Sequence, residues 1–249
     1  MNSYSKNDVI TEPMAPLGIA LWDYYHQRPL GELMIVRADG YADKQLIEHF
    51  FSSNLSLPGE KEALDLCRGK VLDVGAGAGR HSLILQERGF DVTAIDISAQ
   101  AVEIMKDRKV RDVKHASISE YNDGRFDTVL MFSHGLGIAG DLDGLGKLLK
   151  HASKIITPGG QIIGDSLDVR CTQKPIHLEY QKGRLQAGAY VGEMRFKLKY
   201  KDVVGPEFGW LHVDFATLSK IAREHSWYTT LICQNESGDY WCQLIYGGS

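Results

Sequence analysis

An α/β fold organised around a mostly parallel, doubly wound sheet is predicted by three features of the sequence. The first is Lys70 to Phe90. It reads as a short buried strand (Val71, Leu72, Val74), a turn with glycines at 75, 77 and 79, and a helix whose apolar side carries Leu83, Ile84 and Leu85 until Gly89 ends it. The second is Asp91 to Asp96, a further apolar strand that closes on a carboxylate about one βαβ repeat after the turn. The third is the alternation of strands and amphipathic helices as far as Asp165, followed by a closing hairpin.

In chain order, Met1 to about Met14 is polar and expected to be mobile. Leu17 to Tyr25 is apolar and aromatic, and the chain breaks at Arg28 to Gly31. Glu32 to Val36 reads as a turn of helix or a short strand, and Asp39-Gly40 as a turn. Ala42 to Phe51 is predicted as a helix with Leu46, Ile47 and Phe50 on one face, and Glu60 to Cys67 as the helix leading into the first strand. Ala99 to Arg108 is a helix with Val102 and Met105 inward, Asp112 to Ser117 a third strand and Arg125 to Phe132 a fourth. Leu142 to Ile156 places Leu145, Leu148, Leu149 and Ala152 on one helical side, before a Pro158-Gly159-Gly160 turn and a fifth strand, Gln161 to Asp165.

From Leu167 to Gly209 no helical pattern is visible. Tyr190 to Tyr200 alternates Met194, Phe196 and Leu198 against Arg195, Lys197 and Lys199, a half-buried strand. Its basic row reads as a solvated face or protected edge, or as a lure for an anion. Asp214 caps a helix from Phe215 to His225, and Tyr228 to Cys233 with Tyr240 to Tyr246 form a hairpin.

The net charge of −4 over 249 residues gives no reason to expect nucleic-acid binding. No apolar run is long enough for a bilayer, and no signal pattern opens the chain. The four cysteines are scattered, as in reduced cytoplasmic proteins, the expected location. There is no H-E-x-x-H and no carboxylate cluster with ligand spacing, so no metal is expected.

A dinucleotide fingerprint would need a third glycine where Arg80 stands. Here the turn runs G-x-G-x-G, Asp73 stands two places before the first glycine, and Asp96 closes the next strand. A helix N-cap alone would accept Ser, Thr, Asp or Asn at Asp96 and does not explain the glycines. This arrangement resembles the class I S-adenosylmethionine-dependent methyltransferases, a Rossmann-like family, over about Glu60 to Tyr246. The resemblance implies a seven-stranded sheet with an antiparallel last strand. It also implies an N-terminal helical lid over residues 1–59, and a methyltransferase domain over 60–249 with a β insertion at about 168–210.

It further implies S-adenosyl-L-methionine as cofactor, held by Asp73, Gly75, Ala76, Gly77, Gly79, Arg80 and His81 around the turn, by Asp96 and Ile97 at the ribose, and by Ser117, Ile118 and Ser133 at neighbouring strand ends. The family places an acid or small polar residue against adenine after the third strand; this chain has His115 to Ile118 there, leaving backbone groups with Ser117, or Glu120, to read the base. Tyr24, Tyr25 and Arg37 are candidates to touch the methionine end or the substrate, or else pack the prefix onto the core. Ser133 to Gly137 carries no Asn/Asp-Pro-Pro-Tyr/Phe, which argues against nucleic-acid and protein amino-methylation and for an O or N atom of a small acceptor. His134 is the candidate base; a hydrogen-bonded wall residue or cofactor contact is the other reading. His26, His177 and His212 are further side chains that could face substrate. The alternatives are a nicotinamide-dependent oxidoreductase and a non-catalytic S-adenosylmethionine-binding protein.

Overall fold

The computed structural model describes residues 12–248; the polar stretch before Glu12 lies outside them. The chain opens with α1 (Ala15–Tyr25), β1 (Leu33–Arg37), β2 (Ala42–Gln45) and α2 (Glu60–Asp65). The central run is β3 (Lys70–Val74), α3 (Arg80–Glu87), β4 (Asp91–Asp96), α4 (Ala99–Asp107), β5 (Asp112–His115), β6 (Phe126–Met131), α5 (Leu142–Ile155) and β7 (Ile156–Leu167). It continues through α6 (Pro175–Gln186), β8 (Glu193–Tyr200), β9 (Val203–Val204) and β10 (Phe208–Leu211) to α7 (Phe215–Glu224), β11 (Trp227–Gln234) and β12 (Asp239–Tyr246).

Seven strands form one sheet in the order β11-β12-β7-β6-β3-β4-β5. β3 to β7 pair in parallel, and the last strand, β12, inserts antiparallel between β7 and β11. Strand side chains alternate between two faces, and both faces are covered. Leu72, Val129 and Ile162 pack with Leu145 and Leu149 of α5 and Leu218 of α7. Their neighbours Val71, Leu130 and Ile163 pack on the other side with Ala63 and Leu64 of α2 and Leu85 of α3. Each fully buried Leu or Ile contributes on the order of 1.5–3 kcal/mol, so the double winding follows from where the apolar stripes can be buried. Asp141, Ser98 and Asp214 cap α5, α4 and α7 by accepting from the backbone N–H groups of Gly144, Ala101 and Thr217.

A second, antiparallel sheet runs β10-β8-β1-β2, with β9 beside β8. It joins the N-terminal prefix to the late insertion, a pairing no local pattern announces. The expected helix over Ala42 to Phe51 is replaced by β2 and a 3-10 turn, Ile47–Phe50. Pairing of β2 with β1, from Val36↔Ala42 to Leu33↔Gln45, overrides the helical spacing. The prefix is therefore mixed α and β, not a purely helical layer. The insertion, expected to lack helix, contains α6, which starts on Pro175 and buries only Gln181. A helix with no buried stripe leaves no apolar period to detect. Met194, Leu198 and Tyr200 of β8 face inward while Arg195, Lys197 and Lys199 are exposed. Ala20 and Leu21 of α1, Leu33 of β1 and Leu198 of β8 share a core with Ala78 of the glycine turn and Ile104 of α4.

Candidate active site

The glycine turn sits at the C-terminal edge of the parallel sheet, where open α/β sheets bind their ligands. Gly75, Gly77 and Gly79 have φ of 65°, 56° and 77°, in the left-handed region that a β-branched residue adopts only with strain. The N–H groups of Gly75 and Ala76 donate to the Ile95 carbonyl at 2.9 and 3.1 Å, tying the turn to β4. Gly77 N–H donates to Asp96 Oδ2 and Ser98 N–H to Asp96 Oδ1, both at 2.8 Å. Burial raises the Asp96 carboxyl above its ordinary range, and these two donors oppose the rise. A carboxylate offers about four lone-pair sites, so roughly two stay open to a ligand's donors. Two apolar side chains are exposed here: Ile97, next to Asp96 in the chain, at 48%, and Ile138 at 37%. A Cβ on Gly75 would lie 3.6 Å from Ile138, and one on Gly77 would lie 3.2 Å from the Phe50 ring. The open side of the turn is thus lined by Ile138 and covered by Phe50, residues that the sequence patterns had not marked for this role.

The other turn residues divide by what they touch. A Cβ on Gly79 would meet Val110 at 2.8 Å and Met105 at 3.0 Å, so this glycine permits close packing on α4 and does not open the ligand's path. Asp73 is buried under the turn and accepts from Ser82 Oγ–H at 2.5 Å, anchoring α3. Arg80 donates to the Ser52 carbonyl at 2.7 Å, to the Asn54 carbonyl and to Glu60. His81 Nε2 reaches the same Glu60 carboxylate at 3.0 Å. Burial pushes the Glu60 carboxyl up, but hydrogen bonds from His81 and Arg80 and the Arg80 charge win and hold it at about 2. Arg80 and His81 therefore fasten the prefix beside the turn. At the end of β5, His115 Nε2–H donates to the Ile97 carbonyl at 2.7 Å, Ser117 Oγ lies 2.8 Å from Ser119 Oγ, and Ile118 is buried.

The second half of the site begins where β6 ends. Ser133 and His134 both hold left-handed backbone, φ 61° and 55°. Two successive non-glycine residues in that region cost of order 1–3 kcal/mol each and persist only where surroundings over-determine them. Here His134 N–H donates to Asp165 Oδ2 at 2.8 Å, and the His134 carbonyl accepts from Gly137 N–H at 2.8 Å. His134 Nε2–H donates to Asp239 Oδ1 at 3.1 Å. Asp239 is itself held by Asn235, whose Nδ2 donates to Oδ2 at 3.0 Å. The His212 ring lies edge-on to His134, centroids 5.3 Å apart. Asp165 is 5% exposed and His212 9%, and neither Asp165 Oδ1 nor His212 Nδ1 has a partner among the described residues.

Burial pulls the His134 pKa down, but the Asp239 hydrogen bond and the charges of Asp165 and Asp239 raise it above its ordinary value. Burial pushes the Asp165 carboxyl up to about 6 and, with the His134 charge, the His212 imidazole down to about 3. Phe196, Phe208 and Trp210 extend from this cluster along the second sheet, with Phe196 6.3 Å from His212. His134 and His212 were candidates on sequence; Asp165 and Asp239 were not. Asp165 carried the same signal as Asp96, a carboxylate closing a parallel strand, whereas Asp239 sits in a hairpin and carried none.

The lid residues separate. Tyr24 and Tyr25 line an open groove of about 460 Å³ with Gln27, Arg28, Leu30 and Phe51, and Tyr24 stacks on Phe51 at 4.7 Å. Arg37 is 4% exposed. It donates to Asp39 at 2.9 and 2.7 Å, contacts His177 at 3.0 Å and lies over the Tyr180 ring at 4.1 Å. Those contacts commit its guanidinium to joining β1 and α6. His26 stacks on Trp22 at 4.1 Å. Among the described residues, no group of three or more His, Cys, Asp or Glu has a metal-holding arrangement, and no helix is long and apolar enough to cross a membrane.

Residues 71–160 match the methyltransferase domain family. The fold is similar to that of the S-adenosylmethionine-dependent methyltransferase of Bacteroides fragilis, solved in complex with S-adenosyl-L-homocysteine. The two are 31% identical, the likeness covers 97% of this chain and 100% of that one, and the TM-score is 0.82. The chain belongs to the S-adenosylmethionine-dependent methyltransferases. Curated relatives share shorter stretches with this methyltransferase. The magnesium-protoporphyrin O-methyltransferase of Rhodobacter capsulatus is 48% identical over 44 residues, 18% of this chain. YqeM of Bacillus subtilis (strain 168) is 26% identical over 105 residues, 39% of this chain. These matches span 20% and 42% of the two relatives' own lengths.

Family membership sets the nicotinamide alternative aside, and the turn agrees with S-adenosyl-L-methionine as the methyl donor. The glycine cradle, the free lone pairs of Asp96 and the apolar edges Ile97 and Ile138 fit an adenosyl group.

Proposed function

We propose that this methyltransferase acts on an oxygen or nitrogen atom of a small-molecule acceptor, with His134 as general base. When bound, the sulfonium of S-adenosyl-L-methionine supplies an electrophilic methyl group. Asp96, Gly77 and Ile97 would hold the adenosyl end. The observation that carries the reading is the His134–Asp239 hydrogen bond at the C-terminal end of β6. With Nε2–H given to Asp239, the lone pair of His134 lies on Nδ1, for which no protein partner exists among the described residues. Asp239 thus fixes the tautomer and favours the imidazolium that forms when the acceptor loses its proton. The aromatic side chains of Phe196, Phe208 and Trp210 run on from the cluster, Phe196 reaching His212, and would give the acceptor an apolar wall. The absence of an Asn-Pro-Pro motif after β6 and the lack of basic excess support a small acceptor over nucleic acid.

The test is turnover across a library of small acceptors, followed by S-adenosyl-L-homocysteine release. His134→Ala should lower kcat by about 10²–10⁴-fold and leave cofactor affinity intact. Unchanged kcat on an acceptor that the wild type methylates would remove the base assignment.

A further inference from the structure

At the His134 cluster the charges do not balance. Asp239 is ionised, because the His134 hydrogen bond outweighs burial and holds its carboxyl low. Asp165 adds a second carboxylate whose Oδ1 is buried without a donor. His212 is kept neutral by burial, and His81, the other imidazole whose charge acts on Asp165, is hydrogen-bonded to Glu60, so while His134 is the neutral base the two carboxylates stand uncompensated. Arg170 is paired with Asp168 at 2.7 Å and Asp214 at 3.2 Å, and Arg184 with Glu193 at 3.2 Å, the Arg184 Nε–H staying buried without an acceptor. A buried carboxylate oxygen with no donor is costly, and the cost is relieved when a cation with N–H groups fills the gap. The His212 ring, edge-on to His134, carries a second unpartnered atom, Nδ1, and the aromatic face of Phe196, Phe208 and Trp210 continues from that ring.

We propose that the acceptor is a small amine on an apolar body, arriving as its ammonium, with Asp165 Oδ1 receiving one N–H and the aromatic face receiving the body. The proposal rests on the small-acceptor reading above and narrows it. An alcohol brings one donor and no charge, whereas a carboxylic acid would add a third negative group. An ammonium brings three donors and offsets one of the two negative charges. One proton passes from the ammonium to His134 Nδ1, and the nitrogen lone pair then forms the N–C bond as the S–C bond breaks with its electron pair left on sulfur. The product leaves as the methylated ammonium.

The experiment uses the full-length protein saturated with S-adenosyl-L-homocysteine. Benzylamine, benzyl alcohol and benzoate, with the matching cyclohexylmethyl and pentyl series, are titrated in by calorimetry. The same compounds are incubated with S-adenosyl-L-methionine and scored for methylated product by mass spectrometry. The amines should bind about tenfold tighter than their alcohols, as a charge-assisted hydrogen bond predicts, and the carboxylates least. In Asp165→Asn the amine preference should fall below about threefold, while S-adenosyl-L-homocysteine affinity stays within about threefold. If Asp165→Asn fails to fold, shown by the absence of a cooperative urea transition, Asp239→Asn should reduce the same preference. Alcohols or carboxylates bound and methylated in preference to amines would overturn the amine and leave the small-acceptor reading standing. An amine preference untouched in the folded variants would do the same. Failure of every compound to bind or be methylated would overturn both.

Discussion

The glycine turn and the His134 cluster lie at the same edge of the same sheet, yet they are assembled differently. Gly77 and Asp96, which hold each other at the cofactor end, are 19 residues apart, and the bond between them uses a backbone N–H. His134 and Asp239, which hold each other at the proposed acceptor end, are 105 residues apart and meet through side chains. The first half is one βαβ unit, so its geometry is a property of local chain path. The second exists only when β6, β7, the end of β10 and the β11–β12 hairpin have all taken their places. A fold can keep the first while exchanging residues in the second, which is how one cofactor site serves many acceptors.

The largest effect that would break this comparison is expected at the turn. Gly77→Val places a β-branched residue at φ 56° with its Cβ against Phe50, and should reduce S-adenosyl-L-homocysteine affinity by about 100-fold or more. Calorimetry on the variant checks it, and retained affinity would mean that the turn is not the cofactor cradle.

Next in size is the clamp that holds the prefix beside the turn. Glu60→Gln leaves the Arg80 charge buried without its partner and should lower stability by about 3 kcal/mol in urea unfolding at pH 7. The folded-state Glu60 carboxyl, near 2, lies below its unfolded value of 4.5, so the clamp's contribution is present above pH 4.5 and fades as pH falls toward 2. Wild type and variant should therefore converge in stability over that window. A constant gap would assign the loss to packing and not to charge.

A smaller effect sharpens the acceptor half. The His134 pKa is raised above 6.5 by Asp239 and Asp165 against burial, so the basic form accumulates, and the rate should climb, with a midpoint above pH 6.5. Asp239→Asn removes the hydrogen-bonded charge and should move that midpoint down by up to about one unit, read from kcat against pH. The same raised pKa makes the His134–Asp239 contribution to stability complete below pH 6.5 and lost as pH climbs through the folded value. A midpoint unmoved by Asp239→Asn would leave His134 as a wall residue.

The contrast between the halves also explains what could be read beforehand. The strands from Lys70 to Asp165 and their partner helices were legible because apolar period and glycine spacing are local signals, whereas the antiparallel last strand followed from the family resemblance. The prefix was misread at Ala42 to Phe51, because strand pairing with β1 is decided by a neighbour and not by the segment's own period. α6 was invisible because it buries one glutamine and no apolar stripe. In the turn, spacing located Gly79 but not its direction, which is inward onto Met105 and Val110. At the acceptor end spacing located His134, while Asp239 lay in a hairpin whose position against β7 no local pattern specifies.

The division of labour between the two halves is tested most directly by titrating S-adenosyl-L-homocysteine into Asp96→Ala and Asp165→Asn side by side. Asp96→Ala should weaken binding by about 1–3 kcal/mol, roughly five- to 150-fold, and Asp165→Asn should stay within about threefold of wild type. Equal losses in both, or a loss confined to Asp165→Asn, would contradict the account.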